Sequence, residues 1–195
     1  MPAIVVPFRG ARGKQRLNPL PDDVREELSL AMLADVLAAC TTVGRTVVVT
    51  SDDRGGDVAG QHGAEVVEDP GGGQGSAVAA ALRNVDGRAL VVNADVPCVV
   101  PSDLRRLDAA TPDDGLAYVA APDGTTNALG LSAPRLFAPL YGERSAERFR
   151  LHAHTLGVEF VPAAIPNLAD DVDSIDDLDR LQLRVGPRTL AAQPR

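Results

Sequence analysis

Apolar residues in this chain fall into short solid runs, separated by stretches where they recur every three or four positions. The run AIVV at 3–6 is β-rich and ends at Pro7 before a basic loop, as expected of a strand buried on both faces of a parallel sheet. After Pro21 the acids Asp22 and Asp23 open a stretch in which Leu28, Met32, Val36 and Ala39 share one helical face, with the acids at the positive end of the helix dipole. TVVVT at 46–50 predicts a second strand, a short polar helix follows, and residues 65–67 predict a third strand. The segment DPGGGQGSAVAAALRNV then runs from a glycine cluster into an alanine-rich helix, and ALVVN at 89–93 is a further buried strand that delivers Asp95 at its carboxyl end.

Pro101 and Ser102 open the next helix, SDLRRLDAA, and LAYVAA at 116–121 predicts a fifth strand. Beyond Pro122 the pattern is weaker: NALGLS reads as a short strand, SAERFRLHAHTLG as a helix, VEFVP as a strand and SIDDLDRLQLRV as a closing helix. Ser174 and Asp177 have capping-box spacing at the start of that last helix. The alternation of strand and helix predicts an α/β fold with a mostly parallel central sheet flanked by helices, its ligands bound at the carboxyl ends of the strands. A single domain over residues 1–183 is expected, with 184–195 as a flexible C-terminal tail.

Composition narrows the partners. Hydrophobic residues make up 45% of the 195, so the chain can bury a core, and with aromatics at 3% and no Trp that core must be aliphatic. A formal charge of -8 without a basic cluster disfavours nucleic acid. No apolar run is long enough for a membrane span or a signal peptide, and Cys40 and Cys98 lack metal-ligand spacing, so a cytoplasmic protein with two structural cysteines is expected.

Candidate chemistry gathers in the loops after strands. RGARGKQRL places Arg9, Arg12, Lys14 and Arg16 among Gly10 and Gly13 just past the first strand, a pattern that suits a phosphate-wrapping loop but taken alone is more often an ordinary basic surface loop. Gly71–Gly75 precede a helix, where bare amides can approach a ligand closely, and three consecutive glycines exceed what a plain turn needs. Asp95 follows a buried strand, and Asp171 and Asp173 flank Val172, so an extended segment would put both on one face. Three such carboxylates would call for a divalent cation, and oxygen-only ligands suit Mg2+; the spacing fits equally well a run of acids capping the last helix. His62, His152 and His154 have no partner pattern, and no catalytic triad is visible.

Four ordered pieces, VPFRGARGKQRL, NADVP, DGTTNALGL and YGERSAERF followed by DVDSIDDL, resemble the CofC/FbiD family over roughly residues 3–183. Its members are guanylyltransferases of coenzyme F420 biosynthesis, with a Rossmann-like nucleotidyltransferase fold of the nucleotide-diphospho-sugar transferase type, related to the molybdenum-cofactor guanylyltransferases. The resemblance implies transfer of GMP from GTP to phosphoenolpyruvate, or to 2-phospho-L-lactate in some members, with release of pyrophosphate. It implies Mg2+ on Asp95, Asp171 and Asp173; an acceptor acid cradled by Thr126, Gly142 and Ser145; and Lys14 on the GTP phosphates, with catalysis resting on Asp95 and Lys14. Arg9, Arg12, Gly73, Gly75 and Ser76 complete the expected nucleotide site, and the next enzyme of the deazaflavin pathway is an expected partner. The chain departs from the family at two places: it reads Gly73-Gln74-Gly75-Ser76-Ala77 where G-L-N-A-A is usual, and YGERS with Phe149 where F-G-P-G-S and a later His are usual. Three other readings stand beside this one: 3-phosphoglycerate as acceptor, a nucleotidyltransferase for a molybdopterin or sugar phosphate, and a non-catalytic nucleotide-binding protein.

Overall fold

The computed structural model describes residues 1–10, 17 and 20–194, so Arg12, Gly13, Lys14 and Arg16 of the basic loop lie outside the described residues. Among the described residues seven strands, β1 (Ala3–Pro7), β2 (Thr46–Val49), β3 (Glu65–Val67), β4 (Ala89–Val92), β5 (Gly115–Ala120), β6 (Thr126–Leu131) and β7 (Glu159–Pro162), form one sheet of order β3-β2-β1-β4-β6-β5-β7. β1 pairs in parallel with β2 and β4, β2 with β3, and β5 with β7. Only β6 is antiparallel to both of its neighbours.

The mostly parallel sheet is therefore as expected, and the exception has a local cause. β5 and β6 are joined by the short turn at 121–125, held by the Ala121 N–H on the Thr125 carbonyl and by Asp123, whose carboxylate accepts the Thr125 N–H at 2.9 Å. Strands joined so tightly must run antiparallel. The return strand slots between β4 and β5, so the segment expected as a minor strand is central and buried along all six residues.

Each central strand is apolar on both faces because helices cover both. Ile4, Val6, Val48, Leu90 and Val92 pack with α1 (Asp22–Cys40), α2 (Asp53–Gln61), α4 (Pro101–Ala110) and α6 (Pro166–Ala169). The alternate positions Val5, Val47, Val91, Leu129 and Leu131 pack with α3 (Gln74–Leu82) and α5 (Ser145–Leu156). This period of two, read off solid apolar runs, is what a sheet covered on both sides requires. Both cysteines are free and buried, and burial pushes the Cys40 thiol up to about 12. Among the described residues no helix is long and apolar enough to cross a membrane.

A third apolar cluster joins Leu28 and Met32 of α1 to Cys98, Val172 and to Leu178 and Leu181 of α7 (Ile175–Leu181). Here the expected loose tail is corrected, because residues after 183 continue into α8 (Pro187–Ala192), which packs on α1. The Asp35 carboxylate, only 5% exposed, accepts the backbone N–H groups of Arg188 at 3.2 Å and Thr189 at 2.8 Å, capping α8 from 153 and 154 positions away. Gly186 lies so close that a Cβ there would sit 2.3 Å from the Asp35 Cγ. No residue of the tail itself supplies this cap, so the tail's own sequence gives no sign of the helix. Asp35→Ala is expected to cost about 1–3 kcal/mol, since one buried and one half-buried donor lose their acceptor, and a lowered thermal midpoint with unchanged secondary structure would show it.

Candidate active site

Asp95 stands just beyond the carboxyl end of β4, where a parallel sheet presents its loops. The segment after α6 runs back against it, with the Val172 N–H donating to the Asp95 carbonyl at 2.9 Å. Val172 is fully buried in the third cluster, and the residues on either side of it turn outward. One carboxylate oxygen each from Asp95, Asp171 and Asp173 then lies within 4.8 Å of the other two. The acidic run thus divides its work. Asp170 is held by Arg180 and Arg184, each at 2.7 Å, while Asp171 and Asp173 face Asp95. The expected capping box also forms, and the Asp177 carboxylate accepts the N–H groups of Ser174 and Asp173, which fixes the segment that carries Asp173.

Electrostatics show what the trio demands. Burial, then the charge of Asp95, then that of Asp173 push the Asp171 carboxyl from 3.8 up to about 6, against a hydrogen bond from the Asn127 side chain. Three carboxylates so close are costly without a cation, and a set of oxygens alone suits a hard divalent ion such as Mg2+.

Two cavities meet at this trio. One, of about 250 Å³, lies under the end of β1 and is lined by Pro7, Phe8, Gly10, Ser29 and Met32; the other, of about 710 Å³, is lined by Thr126, Tyr141, Gly142, Ser145 and Asp171. Arg9, Gln74, Asn93, Asp95 and Asp173 line both. The site therefore has two chambers with carboxylates and a guanidinium on their seam.

In the larger chamber the Ser145 hydroxyl donates to the Thr126 hydroxyl at 3.1 Å, both residues being buried. Ser145 is the first residue of α5, so the positive end of that helix points where Gly142 and Thr126 converge. Thr126, Gly142 and Ser145, expected as one acceptor cradle, are thus brought together. Phe149, in place of the usual His, is fully buried and meets the Tyr141 ring edge-on at 5.4 Å, forming the apolar wall behind the cradle.

The glycine cluster divides. Gly71, Gly72 and Gly73 have φ of +80°, +83° and +93°, which side chains other than hydrogen rarely adopt, and a Cβ on Gly73 would come within 3.1 Å of the Arg9 guanidinium. Gly75 lies under Pro139, where a Cβ would be 2.6 Å away, and neither it nor Ser76 lines these two cavities. Gln74, Asn93 and Asn127 are site residues that the motifs did not single out. The available signal was a polar amide at the end of an apolar strand for Asn93, and one within a buried strand for Asn127.

A family model described as the MobA-like NTP transferase domain matches residues 23–157. The chain belongs to the MobA-like NTP transferases. It is accordingly a nucleotidyltransferase, and its curated relatives define the branch. The phosphoenolpyruvate guanylyltransferase of Streptomyces scabiei (strain 87.22) is 38% identical over 98% of this chain and 95% of its own length, and that of Streptomyces coelicolor (strain ATCC BAA-471 / A3(2) / M145) is 38% identical over the same shares. These relatives bear out the resemblance read from the four motifs. Among solved structures, a Desulfovibrio desulfuricans G20 chain assigned as a nucleotide-diphospho-sugar transferase superposes with a TM-score of 0.76 at 15% identity, covering 97% of this MobA-like chain and 92% of its own. Glucosyl-3-phosphoglycerate synthase from Mycobacterium tuberculosis, solved with Mn2+ and uridine diphosphate, gives 0.58 at 11% identity over 83% and 69%. At such identities these two show the shared fold.

Proposed function

We propose that this nucleotidyltransferase moves GMP from GTP onto the phosphate of phosphoenolpyruvate and releases pyrophosphate, with Mg2+ held by Asp95, Asp171 and Asp173. The observation that carries the reading is the seam, where Asp95, Asp173 and Arg9 line two adjoining chambers and Asp171 completes the acidic trio from the larger one. The names of the relatives supply donor and acceptor. GTP is assigned to the β1 side, with Arg9, Arg12, Lys14 and the Gly73 turn along its phosphates, while Gly75 and Ser76 serve by seating α3. The acceptor acid is assigned to Thr126, Gly142 and Ser145. The reaction belongs to the cytoplasm, and its activated product would be consumed by the next enzyme of the deazaflavin coenzyme pathway.

A phosphate monoester with a second pKa near 6 is already anionic at neutral pH. It attacks the α-phosphorus of GTP, a new P–O bond forms, the bond to the β-phosphate oxygen breaks, and pyrophosphate carries away the electron pair. No general base is needed. The barrier is the approach of one anion to another, so this chain's residues must position and neutralise. Arg9, facing both chambers, shares its charge between donor and acceptor, and the amino end of α5 with the Thr126 and Ser145 hydroxyls orients the acid. Bound Mg2+ would supply further charge neutralisation at the phosphates.

The test is pyrophosphate release by purified protein with Mg2+, each of the four nucleoside triphosphates, and phosphoenolpyruvate, 2-phospho-L-lactate or 3-phosphoglycerate. GTP with phosphoenolpyruvate is expected to be the fastest pair, and silence with every pair would refute the proposal. Thr126→Ala and Ser145→Ala are each expected to raise KM for the acceptor roughly ten- to a hundredfold, the worth of a hydrogen bond to a charged group, while KM for GTP stays put.

A further inference from the structure

A chain of side-chain amides crosses the floor of the site and ends beside one of the three carboxylates. Gln74, the first residue of α3, donates through Nε2 to Asn93 Oδ1 at 2.6 Å. Asn93, one residue past β4, donates in turn through Nδ2 to Asn127 Oδ1 and to the Thr126 carbonyl, each at 3.4 Å. Its backbone N–H meets the Asn127 carbonyl at 3.0 Å, so the pair is also locked by main chain. Asn127 is 1% exposed, and its Nδ2 donates to the Ala169 carbonyl at 3.2 Å, two residues before Asp171. The same side chain lies beside Asp171 on the wall of the larger chamber, close enough to favour the charged form of its carboxyl. Asn93 and Asn127 each accept from the Gln74 side and donate toward the segment that carries Asp171, so the series runs in one direction.

Burying an amide in the middle of a strand is costly unless each of its polar atoms is used. Here all are used, and what they fix is the chain at Ala169, two residues before the acid. Asp171 sits on irregular chain, whereas Asn127 sits on the central strand β6, the more rigid of the two. We propose that Asn127 is a positioning residue for Asp171: clamping the chain at Ala169, it holds the carboxylate beyond against Asp95 and Asp173 in the geometry that takes a divalent cation. Asn93 and Gln74 keep Asn127 in its orientation. The inference rests on the metal role assigned above, and it separates the two neighbours on β6, with Thr126 serving the acceptor and Asn127 the cation.

Mn2+ binding, followed by the electron paramagnetic resonance signal of the free ion, reads this directly. Asn127→Leu, close in size but without a donor, is expected to bind Mn2+ roughly ten- to a hundredfold more weakly than wild type, the usual effect of losing a group that orients a ligand. Asn127→Ser, gentler on the core and too short to reach both partners, should weaken it in the same direction, and circular dichroism confirms the fold of each. GTP affinity in metal-free buffer, which a general loss of structure would lower, should not change. Thr126→Ala should leave Mn2+ affinity at the wild-type value. Folded Asn127 variants that bind Mn2+ as tightly as wild type would overturn the inference and leave the proposed reaction standing. A wild-type protein that binds no Mn2+ would overturn both.

Discussion

Asp95→Asn is expected to abolish pyrophosphate release, by roughly a thousandfold or more, while the protein stays folded. The magnitude follows from the loss of several kcal/mol of charge stabilisation at the transferring phosphate, at about 1.4 kcal/mol per factor of ten. Asp95, like Asp173, lines both chambers and belongs to the trio, so its charge bears on the cation and on both substrates at once. The substitution keeps the shape of the side chain, and the main-chain bond from Val172 to the Asp95 carbonyl does not depend on the side chain at all. Removing one of three crowded negative charges should also relieve Asp171, whose carboxyl is raised by burial and then by Asp95. Loss of activity with a thermal midpoint at or above that of wild type is therefore the expected signature. A variant that keeps a tenth or more of the wild-type rate, roughly 1.4 kcal/mol or less of lost stabilisation, would remove Asp95 from the chemistry.

The parts of this molecule that could be read from its sequence are those whose causes are local. β1, β2 and β4 announce themselves because a strand covered on both faces must be apolar at every position, and Asp95 follows because the end of such a strand is where ligands meet a parallel sheet. The Ser174 and Asp177 cap needs only its own four residues. Where the cause lies elsewhere in the chain, the signal weakens. β6 carries Thr126 and Asn127 at buried positions, and only the hairpin that lays it between β4 and β5 explains how polar residues can be central. That Asp171 and Asp173 meet Asp95 while Asp170 does not could be seen only once Arg180 and Arg184 were known to claim Asp170. α8 depends on Asp35, and the amide series depends on the register that sets Asn93 beside Asn127. Family resemblance named the cradle residues, but it could not show that Gly75 is spoken for by Pro139.

The other large effect concerns pH and metal together. Asp171 is raised from 3.8 to about 6 in the folded protein, so the folded state holds this proton more tightly than the unfolded chain does. The resulting stabilisation is fully present below about pH 4 and is lost as pH rises through about 6. At pH 7.5 the metal-free protein therefore carries the full repulsion of the trio. Asp171→Asn removes that repulsion, and its thermal midpoint without metal should exceed wild type at pH 7.5 and approach it at pH 4. Mg2+ reverses the ranking, because a ligand that binds only the folded state adds about 2.7 kcal/mol at a hundred times its dissociation constant. For a chain of this length that is a rise of roughly 5–10 °C. Wild type should show this rise at pH 7.5 and lose it at pH 4, where a proton occupies Asp171, while Asp171→Asn should show little of it at either pH. If the variant gained as much from Mg2+ as wild type at pH 7.5, the cation would have to sit elsewhere, and the stability already given up by crowding three aspartates would have no function to explain it.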